Sequence, residues 1–278
     1  MALQNFHIVV CGSLVPDPLQ VLEPLFVNGS GGVAPALKNE LMLPVILDPW
    51  AAHALYEGAH LQKKVPGSKL WLVSLGPKAK LQQLMMTVAQ KASFELVAVD
   101  GPAGGFYDSF DAAEILAEAI RGINGLDMSK LFLFGGWSSA SRGSGTTMQF
   151  IGERLGVVQQ FQGVDELVFD GDESFRVLER IEGGKHQVSE VSSPPVLIGW
   201  ATGNLPEPPN NPQIGMANMR GILPALGKAK KVDFAAVGDA TKLLFSDVHL
   251  PTQRRETRVV KDMSIDEMAH EIVAWIRG

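Results

Sequence analysis

Cysteine is almost missing: Cys11 is the only one in 278 residues. An internal disulfide and a thiolate-built zinc site are therefore excluded, and the count suits a reducing compartment. Cationic excess is missing too. Lys and Arg number 24 against 30 Asp and Glu, a formal net charge of -6, so the broad positive surface that drives phosphate binding on nucleic acid is not there. The same balance makes acidic membranes poor partners. No apolar run approaches the ~20 residues that a bilayer span demands, and Met1 to His7 lacks the basic stretch and apolar core of a secretory leader. The expectation is a cytoplasmic protein. No internal repeat interrupts the pattern.

What the chain does contain is core: 46% hydrophobic against 19% charged residues. Short apolar runs alternate with amphipathic stretches, the pattern of a mostly parallel sheet with crossover helices. Strands are predicted at His7 to Val10, Lys69 to Ser74, Glu95 to Val99, Lys130 to Phe134 and Val196 to Gly199. Helices are predicted at Pro49 to Lys63, Lys78 to Lys91, Ala112 to Gly122 and Thr146 to Leu155. Two segments break the rhythm and read as exposed loops: Val15 to Pro44, with its Gly29 to Gly32 cluster, and Leu205 to Pro212, which holds four prolines. A basic run at Lys228 to Lys231 marks a boundary, giving an α/β domain over 1–231 and an arm over 232–278. Ser264 with Glu267 three residues on forms a capping box, so a terminal helix is expected from Ser264 to Ile276. An arm of that length cannot bury much of itself and should lie on another surface.

The chemistry-bearing stretch is LFLFGGWSSASRGSGT, Leu131 to Thr146. An apolar strand runs into a Gly/Ser loop and then a helix. Small residues let backbone N–H groups face an anion, and the helix start adds partial positive charge, so this is a phosphate cradle or else a flexible strand-to-helix loop. It has no Walker lysine, and Gly143 and Gly145 lack the third glycine of a dinucleotide fingerprint. Gly136, Trp137 and Ser138 begin a nucleophile elbow, but Ala140 stands where its second glycine belongs. His53 and His60 lack metal-ligand spacing, His186 and His249 receive no role, and Met85, Met86 and Met148 read as core filling. Glu179 to Gly184 is a hairpin turn leading towards a buried strand at Pro195 to Ile198. Asn211 to Ile222 reads as a loop with exposed Met followed by a short helix.

Taken in order, six segments resemble the β subunit of electron-transfer flavoproteins. They are Val10-Cys11 with Val15-Pro16-Asp17, Asp48-Pro49-Trp50, Ser74-Leu75-Gly76-Pro77, Gly135 to Thr146, Ile181-Glu182-Gly183-Gly184, and Ala217-Asn218-Met219-Arg220-Gly221-Ile222. The tail, with Arg254-Arg255-Glu256-Thr257 and a final amphipathic helix, is similar to the family's C-terminal arm. The resemblance implies a doubly wound, adenine-nucleotide α-hydrolase-like subunit with an extended arm packing on a larger α subunit. FAD, held mainly by the α subunit, would carry electrons from acyl-CoA or other flavin dehydrogenases to a quinone-linked acceptor. The chain itself would be a carrier and not an enzyme.

By the same resemblance AMP is buried in the β subunit. Its phosphate loop corresponds to Ser141, Arg142, Gly143, Ser144, Gly145 and Thr146, and its adenine and ribose contacts to Val9, Cys11, Asp48, Leu75 and Gly135, with Gly12 and Gly76 at neighbouring strand ends. Pro16 and Trp50 match positions facing the flavin, and Met216, Met219 and Arg220 match the docking segment, Met219 taking the place of the residue that plugs into partner dehydrogenases. Three departures leave the nucleotide open: Cys11 replaces a family Lys, the hairpin Arg is displaced to Arg180, and Ser138 to Ser141 replaces an Asp-rich stretch. A second FAD in place of AMP is one alternative, and a stand-alone adenine-nucleotide-binding or nucleotide-hydrolysing α/β protein is another.

Overall fold

The computed structural model describes residues 5–25, 36–102, 107–169, 174–191, 193–232 and 259–278. The Gly29 to Gly32 cluster, Arg254 to Thr257 and most of the expected arm lie outside these residues. In chain order the first elements are strands β1 (His7–Cys11), β2 (Leu14–Pro16), β3 (Pro24–Leu25), β4 (Ala36–Leu37) and β5 (Val45–Leu47). Helix α1 (Pro49–Lys64) leads to β6 (Lys69–Gly76), α2 (Lys78–Val88) to β7 (Glu95–Asp100), and α3 (Ser109–Arg121) to β8 (Leu131–Gly136). Then come α4 (Thr147–Leu155), β9 (Gln159–Phe169), β10 (Phe175–Ile181), β11 (Lys185–Val191) and β12 (Val196–Trp200). The last elements are α5 (Pro212–Lys228), β13 (Lys230–Lys231) and α6 (Ile265–Arg277).

Among the described residues nine strands form one sheet in the order β11-β10-β9-β12-β8-β1-β6-β7-β13. Strand β1 lies near the middle, parallel to β6 on one side and to β8 on the other. The hairpin predicted at Glu179 to Gly184 is observed: β10 pairs antiparallel with β11 and with β9, while the rest of the sheet is parallel. Every residue of β1 and of β12 is buried, because helices cover both faces and a strand buried on both sides reads as an unbroken apolar run. Alternate side chains feed two cores. Ile8 and Val10 pack with α1 and α2, whereas Val9 and Cys11 pack with Ala113, Leu116 and Ile120 of α3 and with Met148 and Ile151 of α4. This is the doubly wound arrangement that the alternation predicts.

Element ends differ from the sequence expectation where turns decide them. The region Val15 to Pro44 is not a plain loop, since β2 pairs with β5 and β3 with β4. The expected loop over Asn211 to Ile222 is corrected: Asn211 caps α5 by accepting the N–H groups of Gln213 and Ile214, and Pro212 sits in the first turn. Pro at that position costs no hydrogen bond and presets the backbone, so the helix starts at the asparagine. Met219 is consequently half-buried and packs against the core. Met85 and Met148 are buried as expected, but Met86 is exposed.

By internal contacts the chain divides into two compact units, Met1–Ser246 and Asp247–Gly278. In the second, Ser264 Oγ accepts the Glu267 N–H and Glu267 Oε2 accepts the Ser264 N–H, the predicted capping box. Ile265, Met268, Ile272, Val273, Trp275 and Ile276 of α6 are all exposed.

The foot of the sheet carries a titratable contact. His7 is 7% exposed, and its Nδ1 accepts the Asp127 N–H at 2.8 Å. Burial first, then Lys69, lowers its pKa from the ordinary 6.5. The folded state therefore binds this proton less readily than the unfolded chain, so the contribution is whole above 6.5 and is lost as pH falls from there through the folded value. Urea unfolding should show stability declining below that pH, and His7→Asn, which keeps an acceptor at the Nδ1 position, should flatten the decline.

Candidate functional site

Strands β1, β6 and β8 end together at the point where the chain passes from one side of β1 to the other, the place where open α/β sheets take ligands. Small residues keep those ends open. A Cβ on Gly76 would stand 2.5 Å from Leu14 Cδ2, and one on Gly136 would stand 2.6 Å from Trp50 Cβ. The resulting cleft has about 1110 Å³ of open space, its mouth included.

The first anchor is Asp48, 1% exposed and the N-cap of α1. Its Oδ1 accepts the Trp50 N–H at 3.1 Å, and its Oδ2 accepts the Ala140 N–H at 2.8 Å. Burial raises its pKa, against the pull of hydrogen bonds from Ala140, Trp50, Ala51 and Ser139. One carboxylate thus caps a helix and ties down the loop between β8 and α4. Within that loop Ser139 Oγ accepts the Ser141 N–H at 3.1 Å, and Trp137 N–H donates to Trp200 O at 3.1 Å.

The loop closes over the cleft through left-handed glycines. Gly143 has φ +68° and Gly145 has φ +64°, and a Cβ on Gly145 would stand 2.8 Å from the Trp137 carbonyl oxygen. Thr146, the N-cap of α4, makes no side-chain cap, so the first-turn N–H groups stay available to an outside acceptor. Half-buried Arg142 donates to Ser109 Oγ, which lies 3.2 Å from Ser144 Oγ. Burial lowers the Arg142 pKa and Asp108 opposes that effect, but a guanidinium stays charged in a protein. Among the described residues that line the cleft Asp48 is the one acid and Arg142 the one cation. The wall opposite is neutral: the buried Cys11 thiol is pushed up to about 12 by burial and packs as a small apolar group.

Cys11, Gly12, Asp48, Leu75, Gly76, Ser141, Arg142, Ser144, Gly145 and Thr146 all line this cleft. Three residues expected here, Val9, Gly135 and Gly143, do not, and Pro16 and Trp50, expected on the flavin side, are not part of it either. Val9 is wholly buried below Cys11 on the same face of β1, and Gly135 backs onto Met148, whose Sδ stands 2.4 Å from where a Cβ would be. Gly143 bends the loop from outside, Pro16 pairs with Val45 in the small β2–β5 sheet, and Trp50 is half-buried in the first turn of α1. The structure adds Ser13, Tyr107, Ser138, Ser139 and Thr147 to the lining. Ser13 follows Gly12 directly and Thr147 follows Thr146, signals the sequence offered; Tyr107 is brought in only by sheet order.

Uncapped helix N–H groups, a loop of small residues and one half-buried guanidinium form a pocket whose chemistry suits an anionic group, on an α/β fold with a mostly parallel sheet. Residues 43–218, more than half of the chain, match the electron transfer flavoprotein domain. The chain belongs to that family, a family of flavin-associated electron carriers. No curated protein matches its sequence. Among the described residues no helix is long and apolar enough to cross a membrane, and no group of His, Cys, Asp and Glu is placed to hold a metal ion.

Gly145→Ala should destabilise the protein by about 1–2 kcal/mol, the cost of a left-handed backbone with a side chain, as measured by urea unfolding. The same change at Gly227, which has open space and no positive φ, should stabilise or leave stability unchanged.

Proposed function

We propose that this chain is the β-type subunit of a heterodimeric electron-transfer flavoprotein and holds AMP in the cleft at the ends of β1, β6 and β8. The observation that carries the reading is the cradle itself, the Ser138 to Thr147 loop with Arg142 as its one cation, on a chain matched to the electron transfer flavoprotein domain. One guanidinium and a helix start suit one phosphate. A triphosphate would call for a lysine and paired carboxylates for Mg²⁺, so nucleotide hydrolysis is disfavoured. Arg142 and the α4 N–H groups would take the phosphate, while Cys11, Leu75 and Met148 would give the base an apolar seat.

FAD, held mainly by the α subunit, supplies the electron-transfer chemistry when bound. In this reading Trp50 in the first turn of α1 and Pro16 on β2 would lie on the flavin side and help to hold it. Residues 232–278 form the arm that packs on the α subunit. The exposed apolar face of α6 supports this, because a stripe from Ile265 to Ile276 is costly to leave in water. Docking of donor dehydrogenases falls to α5, where Met216, Arg220 and Leu223 are all exposed and share one face at helical spacing. Met216, 66% exposed, has the adaptable side chain of an anchor. Met219 lies one step round the helix against the core and supports the face from beneath.

Heat-released supernatant of the purified complex should contain one AMP per heterodimer, read by chromatography. A flavin-to-heterodimer ratio near two would instead place a second FAD in the cleft, and a nucleotide-free complex would remove the cradle reading. Arg142→Gln should weaken AMP retention about 10- to 100-fold, as expected for a lost charge-assisted hydrogen bond. Met216→Ala should slow transfer from the donor at unchanged thermal stability, whereas Met219→Ala should lower stability by about 1–3 kcal/mol.

A further inference from the structure

The connection from β12 to α5, residues 201–211, has no regular secondary structure, yet it is fastened along its length. Thr202 Oγ1 donates to Asp165 Oδ1 at 2.9 Å, and Arg180 clamps the same carboxylate. His60 Nε2 lies 2.9 Å from Pro206 O, Lys91 pairs with Glu207, and Asn211 N–H donates to Gln90 O at 3.0 Å. The most buried of the acids that make these ties is midway along α1. Glu57 is 5% exposed, and its Oε1 accepts the N–H groups of both Asn204 and Leu205 at 3.0 Å. Gly203 turns there with φ +68°, and a Cβ on it would stand 2.4 Å from Glu57 Oε1. The backbone has been laid directly on the carboxylate.

A buried carboxylate is costly unless its acceptor sites are filled, so Glu57 and the two N–H groups hold each other in place. We infer that Glu57 is a positioning residue for partner docking: by holding Asn204 and Leu205 it fixes the connection and, through it, the first turns of α5 that present Met216 and Arg220. This inference rests on the docking face proposed above.

Ionisation sets the strength of the latch. Burial raises the Glu57 pKa, the two N–H groups and His60 on α1 counter that rise, and Glu166 on β9 adds to it. Lys63 and Lys64 of α1 line the same hollow. As pH falls through the folded value the carboxylate is neutralised and its grip on the two N–H groups weakens.

The test uses the heterodimer and a donor flavoprotein, with amide exchange at Asn204 and Leu205 followed beside steady-state electron transfer. Glu57→Ala should speed exchange at both amides and raise the KM for the donor about tenfold, with the effect falling on KM and not kcat. Glu57→Gln, which keeps an acceptor oxygen, should restore most of the KM and remove the rise in KM that the wild type shows on acidification. Faster exchange in Glu57→Ala at unchanged donor KM overturns the inference, and so does a Gln variant that retains the acid rise. If the Ala variant does not fold, the Gln pH profile decides. Met216→Ala separates the two readings: an unchanged KM there removes the docking face and the latch with it, while a raised KM there beside an unchanged one in Glu57→Ala removes the latch alone.

Discussion

The Asp48 carboxylate is the constraint on which the site depends. It leaves solvent in order to cap α1, and it reaches across to the Ala140 N–H in the loop that follows β8. Residues 92 apart in sequence are joined at 2.8 Å, and the glycine-rich loop acquires a fixed point that its own side chains could not supply. Small residues give that loop its freedom to curve. Freedom alone would leave it an ensemble, so an external tie has to set its position.

Helix α1 then acts as a beam between two regions that have no regular structure of their own. Its N-terminus is tied to the loop over the cleft, and its middle, through Glu57, Tyr56 and His60, is tied to the connection that precedes α5. Both ties are made by acids buried against backbone N–H groups, and burial raises the pKa of both Asp48 and Glu57. Buried carboxylates are an expensive way to hold loops, but they are directional, and a packed apolar contact is not.

Much of the architecture was legible because parallel strands covered on both faces must be continuously apolar. His7 to Val10, Lys69 to Ser74 and Val196 to Gly199 stand out from their surroundings for that reason, and the Ser264 capping box for its local chemistry. The site was legible only where it is contiguous. Ser141 to Thr146 reads as a cradle because successive residues share the job, but Val9 and Gly135 fail as lining residues for a geometric reason. Side chains two apart on a strand share a face, so Cys11, at the strand end, reaches the cleft, while Val9, roughly 7 Å deeper, is covered. The second role of Asp48, the arrival of Tyr107 and the burial of Met219 all depend on which distant segment comes alongside, and no local pattern encodes that. Helix α5 is the instructive case: the prolines at Pro208 and Pro209 suggest a loop, and the asparagine cap and Pro212 that start the helix sit immediately beyond them.

An electron carrier asks little side-chain chemistry of its protein, and the cleft fits that requirement. Its thiol is neutral and its one acid is occupied by backbone N–H groups. A buried carboxylate already accepting two N–H groups is a poor base for an outside proton. N–H donors, hydroxyls, small residues and one guanidinium are groups that can grip an anionic ligand. In such a protein geometry is the whole contribution, which is why so much of the buried polar chemistry, from Asp48 to Glu57, is spent on holding loops still.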